Sequence, residues 1–178
     1  MNRNKFKSQG RADDQQYEQS IIDLARVTRV MAGGKRMRFR AAVAIGDKKD
    51  QVGFGVAKGA DVTIAVNKAI MQAKKNLIKS PIVNETIPCK INEKFKAAKI
   101  LLKPAPLGTG IIAGGAMRQI LQLSGIPNVV GKNLGSSNKI NVVCATLRAL
   151  AKLNHFAAKK TAAVKKQSKN VELSLEQK

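Results

Sequence analysis

The stretch from Met37 to Ile45 constrains the fold more tightly than any other part of the chain. Met37, Phe39, Ala41, Val43 and Ile45 take every second position, with Arg38, Arg40, Ala42 and Ala44 between them. A helix would scatter this pattern around its circumference, whereas a strand gathers it on one side. The pattern predicts a strand with one buried face and a solvent face carrying Arg38 and Arg40. Upstream, Ile22, Leu24, Val27 and Val30 recur in a spacing between those of helix and strand, and Ala32-Gly33-Gly34-Lys35 is a turn signal. Downstream, a turn over 46–50 leads to residues 51–57, where Val52, Phe54 and Val56 share one face. Together these predict a three-stranded meander.

A helix follows. Asp61 is expected to cap it. Val62, Ala65, Val66, Ala69, Ile70, Ala73 and Leu77 fall on one helical face, Lys79 ends the run, and Ser80-Pro81 stops it. Residues 81–97 read as a linker leading into a strand. Residues 99–104 predict a strand, 104–110 a rigid loop, 116–124 a helix, 128–132 a strand and 140–153 a second helix. The expected class is α+β with two small domains: a strand–strand–strand–helix unit over 21–80 and a strand–helix–strand–helix unit over 81–154. Residues 1–20 read as a polar arm and 155–178 as a basic tail. Only 3% of residues are aromatic and none is Trp, so any core must be aliphatic.

Charge indicates the partner. Lys and Arg number 33 against 11 Asp and Glu, a formal net charge of +22. The excess is spread along the chain, with seventeen basic against seven acidic residues in 1–80 and sixteen against four in 81–178. Packing does not call for such a surplus, and self-repulsion makes it a liability that a polyanion relieves. No run of 18 apolar residues suggests a membrane span, and no apolar stretch follows the basic start to suggest a secretory signal. Between Glu93 and Glu172 there is no acid, His155 is the only histidine, and Cys89 and Cys144 stand alone. Acid–base chemistry and an ordinary zinc site are therefore not expected, nor is a cofactor.

The sharpest candidate site is the segment Arg26–Arg36. Gly33 and Gly34 permit a tight hairpin tip, with Gly34 expected at positive φ, and Arg26, Arg29, Lys35, Arg36, Arg38 and Arg40 surround it with cations suited to RNA phosphates. Thr28 lies among them. Gly53 and Gly55 form a G-x-G inside a strand and lack the register of a nucleotide fingerprint; they read as a place where a helix approaches closely. The segment from Gly108 through Gly110 to Arg118 precedes a helix without the Lys-Ser/Thr of a P-loop. Gly135-Ser136-Ser137-Asn138 reads as a helix-capping turn, with Lys132 and Asn138 as further candidate phosphate contacts. Phe39 and Phe54 fall on core faces, so stacking of unpaired bases on aromatic rings is not expected.

Val27-Thr28-Arg29-Val30, Gly33-Gly34-Lys35, Gly46-Asp47 and Val52-Gly53-Phe54-Gly55 resemble the first domain of the small-subunit ribosomal protein S-five family. Gly108–Arg118, and Gly135-Ser136-Ser137-Asn138 with Asn141-Val142-Val143, resemble signatures of its second domain, in the same order and spacing over roughly 20–154. The resemblance implies a double-stranded-RNA-binding-like first domain and a second domain with a left-handed strand–helix–strand crossover. It implies contacts with small-subunit ribosomal RNA and with proteins S-four and S-eight. It also implies a position near the path by which messenger RNA enters, influence on decoding accuracy, and residence in the small subunit of a bacterial cytoplasm or a bacterium-like organelle. Residues 26–36 match the family loop tied to spectinomycin. Gly108, Gly110 and Arg118 lie in the segment facing S-four. Asp50 replaces a common turn glycine, which implies a different turn, and Lys139 replaces a common proline. The rival reading is a free-standing RNA chaperone or regulator that binds helical RNA; it would wash off small subunits with salt, where a ribosomal protein would not.

Overall fold

The computed structural model describes residues 17–154 and 156. Arm residues 1–16, His155 and tail residues 157–178 lie outside these.

β1 (Glu18–Met31), β2 (Gly34–Gly46) and β3 (Gln51–Gly59) form an antiparallel meander, followed by α1 (Val62–Lys75). β1 starts three residues inside the expected arm. It is a strand throughout, and its ambiguous spacing has a local cause: the register with β2 shifts between Ile21 and Asp23. The extra residue of this bulge, Ile22, is buried.

α1 lies on one face of the sheet through very small residues. Ala65, Ala69 and Ala73 are fully buried against Ala41, Val43 and Ile45. On β3 the facing positions are glycines. A Cβ on Gly55 would stand 2.1 Å from the Ala69 carbonyl oxygen, and one on Gly53 would stand 2.5 Å from that of Ala73. The G-x-G is therefore a packing device, as its place within a strand predicted. Asp61 occupies the N-cap position, but its side chain makes no capping hydrogen bond; its backbone carbonyl accepts from Ala65 N–H at 3.1 Å. The helix also stops earlier than its periodicity suggested. Leu77–Lys79 form β4, antiparallel to the free edge of β3. Leu77 keeps its inward position because it pairs with Gly53, so strand and helix satisfy the same apolar contact.

The opposite sheet face is not left to solvent. Ala42 and Ala44, expected on the solvent face, are fully buried, and with Val52 and Phe54 they enter the core of the second unit. That unit has the expected strand–helix–strand–helix order with two additional short strands. β5 (Ile91–Phe95), β6 (Ala98–Pro104), β7 (Ile111–Ile112) and β8 (Val129–Asn133) form a sheet in the order β5-β6-β8-β7. β7 and β8 are parallel and joined through α2 (Gly115–Leu123); α3 spans 139–154. Met117, Ile120 and Leu121 of α2 and Val143, Leu150 and Leu153 of α3 fill the space between the two sheets.

Polar ties reinforce the seam. Lys48 N–H donates to the Leu123 carbonyl at 3.1 Å, satisfying a carbonyl left free at the end of α2. Lys139 Nζ reaches Asp23 at 3.2 Å and Asn154 Nδ2 donates to the Lys79 carbonyl, while within the second unit Lys152 Nζ reaches Glu93 at 2.6 Å. The β2–β3 turn that docks here is organised by Asp47, whose Oδ1 accepts from the N–H groups of Lys49, Asp50 and Gln51. Its left-handed residue is Lys48, at φ 57°, so Asp50 is spared the conformation that a glycine would serve. Burial raises the Asp47 carboxyl, but these hydrogen bonds outweigh it and hold the group below its ordinary range.

Three stability outcomes are expected. Gly55→Ala drives a methyl into the α1 backbone and costs about 1–3 kcal/mol in urea unfolding. Gly34→Ala meets nothing within 4 Å and stays within about 0.5 kcal/mol of the parent. Because the Asp47 value is lowered on folding, its contribution is present above the ordinary aspartate range and is lost as pH falls through the lowered value. Asp47→Asn keeps an acceptor without the titration. Its urea midpoint should fall less steeply than the parent's on acidification below about pH 4; parallel curves would contradict this account.

Candidate nucleic-acid interface

β3 stops pairing where Gly59 meets Phe39, while β1 and β2 continue to a two-residue turn at Ala32-Gly33. Residues 26–38 thus form a two-stranded ribbon rather than an irregular loop. Along it only Val27 is half-buried; the rest are exposed. Gly33 takes φ +81°, whereas Gly34 has ordinary backbone geometry, so the expected left-handed glycine is Gly33 and not Gly34.

Partners across an antiparallel ladder share a face. Arg29 stands opposite Arg36, Val27 opposite Arg38, and Arg40 opposite Lys58. This face continues from the buried one carrying Ala42 and Ala44. Arg26, Thr28 and Lys35 lie on the other face, paired with Phe39, Met37 and Val30. Arg26, Arg29, Lys35, Arg36 and Arg38 make no ion pair among the described residues. Two arginines directly opposite one another are mutually repulsive, and no ion pair among the described residues relieves Arg29 and Arg36.

Arg40 departs from the expectation. Its guanidinium lies 3.0 Å from the Asp23 carboxylate, which also receives Lys139 from the start of α3. It is held within the first unit, on the carboxylate that Lys139 ties to the second, and is not a free cation. Asn138 is likewise committed: its Oδ1 caps α3, accepting from Ile140 N–H at 3.1 Å and Asn141 N–H at 3.4 Å. Lys132 is exposed on β8, in the second sheet and apart from the ribbon.

The ribbon also has a cation that the sequence reading missed. Lys58, exposed at the end of β3, joins Arg29, Arg36 and Arg38 around a cleft of about 260 Å³. Its parity with Val52, Phe54 and Val56 places it on that face, but only the β2–β3 register shows that it arrives beside Arg40.

The glycine-rich segment before α2 has a different character. Gly108 and Gly110 adopt φ +84° and +72°. Gly110 N–H donates to Asn128 Oδ1 at 3.0 Å, and its carbonyl receives Val129 N–H. Gly110 is thereby held against β8, while Gly108 and Arg118 are exposed. Leu107 and Ile112, both large and exposed, flank this segment. Nothing here points to catalysis. Burial pushes the Cys144 thiol up, against the opposing pull of Arg148 and Lys96, so it is not an activated nucleophile.

Fold and site together define a class: a two-unit α+β protein whose open, uncompensated cationic ribbon is suited to a structured polyanion. The comparisons identify which one. Residues 17–81 match the family model described as "Ribosomal protein S5, N-terminal domain", and residues 93–165 match "Ribosomal protein S5, C-terminal domain". The chain is 44% identical to a small ribosomal subunit protein uS5c of Emiliania huxleyi, over 80% of this chain and 91% of that one. It is also 44% identical to a small ribosomal subunit protein uS5c of Spinacia oleracea, over 79% of this chain and 46% of that longer one. The chain belongs to the ribosomal protein S5 family, RNA-binding and non-enzymatic structural constituents of the small ribosomal subunit.

Proposed function

We propose that the ribbon is the chain's principal contact with small-subunit ribosomal RNA, in a ribosome of bacterial type, whether bacterial or organellar. Arg26, Arg29, Lys35, Arg36 and Arg38 neutralise phosphates, with Thr28 a hydroxyl donor among them, Gly33 in the turn and Gly34 opening the strand beside it. The observation that carries this reading is the uncompensated Arg29–Arg36 pair on an open ribbon. Like charges held opposite one another are tolerated when a polyanion neutralises them in the working state. Lys132 adds a phosphate contact from the second sheet. The exposed segment carrying Gly108, Gly110 and Arg118 fits the role of the S-four interface, and S-eight is a further neighbour. From this position the protein supports subunit assembly, passage of messenger RNA and decoding accuracy. Proximity of residues 26–36 to spectinomycin belongs to the same reading.

The test separates binding from stability. Substituting both Arg29→Ala and Arg36→Ala should weaken binding to small-subunit RNA. It should also lower the slope of log affinity against log salt by about two, one per lost phosphate contact. The same change relieves repulsion in the free protein, which should be at least as stable as the parent by thermal unfolding at low salt. An unchanged salt slope would contradict the assignment.

A further inference from the structure

The cleft beside the ribbon combines two chemistries. Its rim is Arg29, Arg36, Arg38 and Lys58, and its remaining wall is Val27, Met31 and the hydroxyl-bearing Thr28. Met31 is 49% exposed, an open apolar surface beside four cations. The carboxylates on the same sheet face are already engaged, Asp23 by Arg40 and Lys139 and Glu18 by Lys48. Among the described residues these four cations hold no carboxylate.

A duplex fits this cleft poorly. Its phosphate ridges are convex and its base faces are hidden in the stack, so a hollow with an apolar wall gains little from them. A nucleotide swung out of the stack offers both a phosphate and a bare base face. RNA is read sequence-specifically at such loops and bulges, and arginine planes serve as stacking surfaces there. The absence of exposed aromatics on this ribbon is then no obstacle. We infer that the cleft seats one unstacked nucleotide of the bound RNA, its phosphate among Arg29, Arg36, Arg38 and Lys58 and its base against Val27 and Met31. This rests on the ribbon being an RNA contact and adds the kind of RNA element it selects. The opposite ribbon face, with Arg26 and Lys35, serves phosphates without that selection.

The test uses the full chain with two RNA hairpins that differ only by a single unpaired nucleotide in the stem, carrying 2-aminopurine at that position. The hairpin with the unpaired nucleotide should bind about tenfold more tightly, with a change in 2-aminopurine fluorescence on binding. Met31→Ser, on the exposed ribbon, should abolish the preference while leaving affinity for the paired hairpin unchanged. Lys58→Ala should lower the salt slope for the unpaired hairpin by about one. Equal affinities for the two hairpins, or a preference that survives both substitutions, would overturn the inference while leaving the RNA reading intact. Adenosine monophosphate matching the affinity of the unpaired hairpin would overturn it in favour of a free-nucleotide site. Failure to bind either hairpin at physiological salt would overturn both the inference and the reading on which it rests.

Discussion

The molecule depends on burial of the second face of its first sheet. Ala42, Ala44, Val52 and Phe54 are covered by α2 and α3, while Ala41, Val43 and Ile45 on the other face are covered by α1. The inner half of the β1–β2 hairpin is thus clamped between two layers. Alanine and glycine at the contacts let those layers come close, and dispersion rewards the short separation. The outer half of the same hairpin extends beyond both layers. A ribbon of two strands is marginal by itself; this one is held because its root is continuous with the core.

That arrangement also decides the electrostatics. Cations near the root are absorbed into the seam: Arg40 and Lys139 meet on Asp23. Cations farther out have no such partner among the described residues, and the register brings Arg29 and Arg36 face to face. The gradient from paired to unpaired charge along one strand separates structural cations from those available to phosphate. Alternation alone does not, because Arg38 and Arg40 have the same parity and different fates.

Much of this was legible in the residues, for physical reasons. Gly53 and Gly55 within a strand pointed to close approach, and the Ala69 and Ala73 carbonyls are what approach. The order of elements followed from periodicity, although the stop expected of Ser80-Pro81 closes β4 and the helix has already ended at Lys75. What escaped needed knowledge of neighbours. Ala42 and Ala44 are small enough for either environment, so only the second unit reveals that they are buried. Leu77 satisfies a helical face and a strand pairing equally well. β5 has only Ile91 and Phe95 as apolar residues, with Glu93 breaking the alternation between them, and β7 is two residues long. Gly33 and Gly34 are interchangeable on paper; the turn decides which is left-handed. Lys58 gains its meaning only from a register with Arg40.

The claim that both units share one core is tested most directly by calorimetric unfolding of the full chain. A shared seam of this size predicts a single transition whose calorimetric and van't Hoff enthalpies agree. Two separable transitions, one for each unit, would contradict it and would remove the rigid root that holds the ribbon in place.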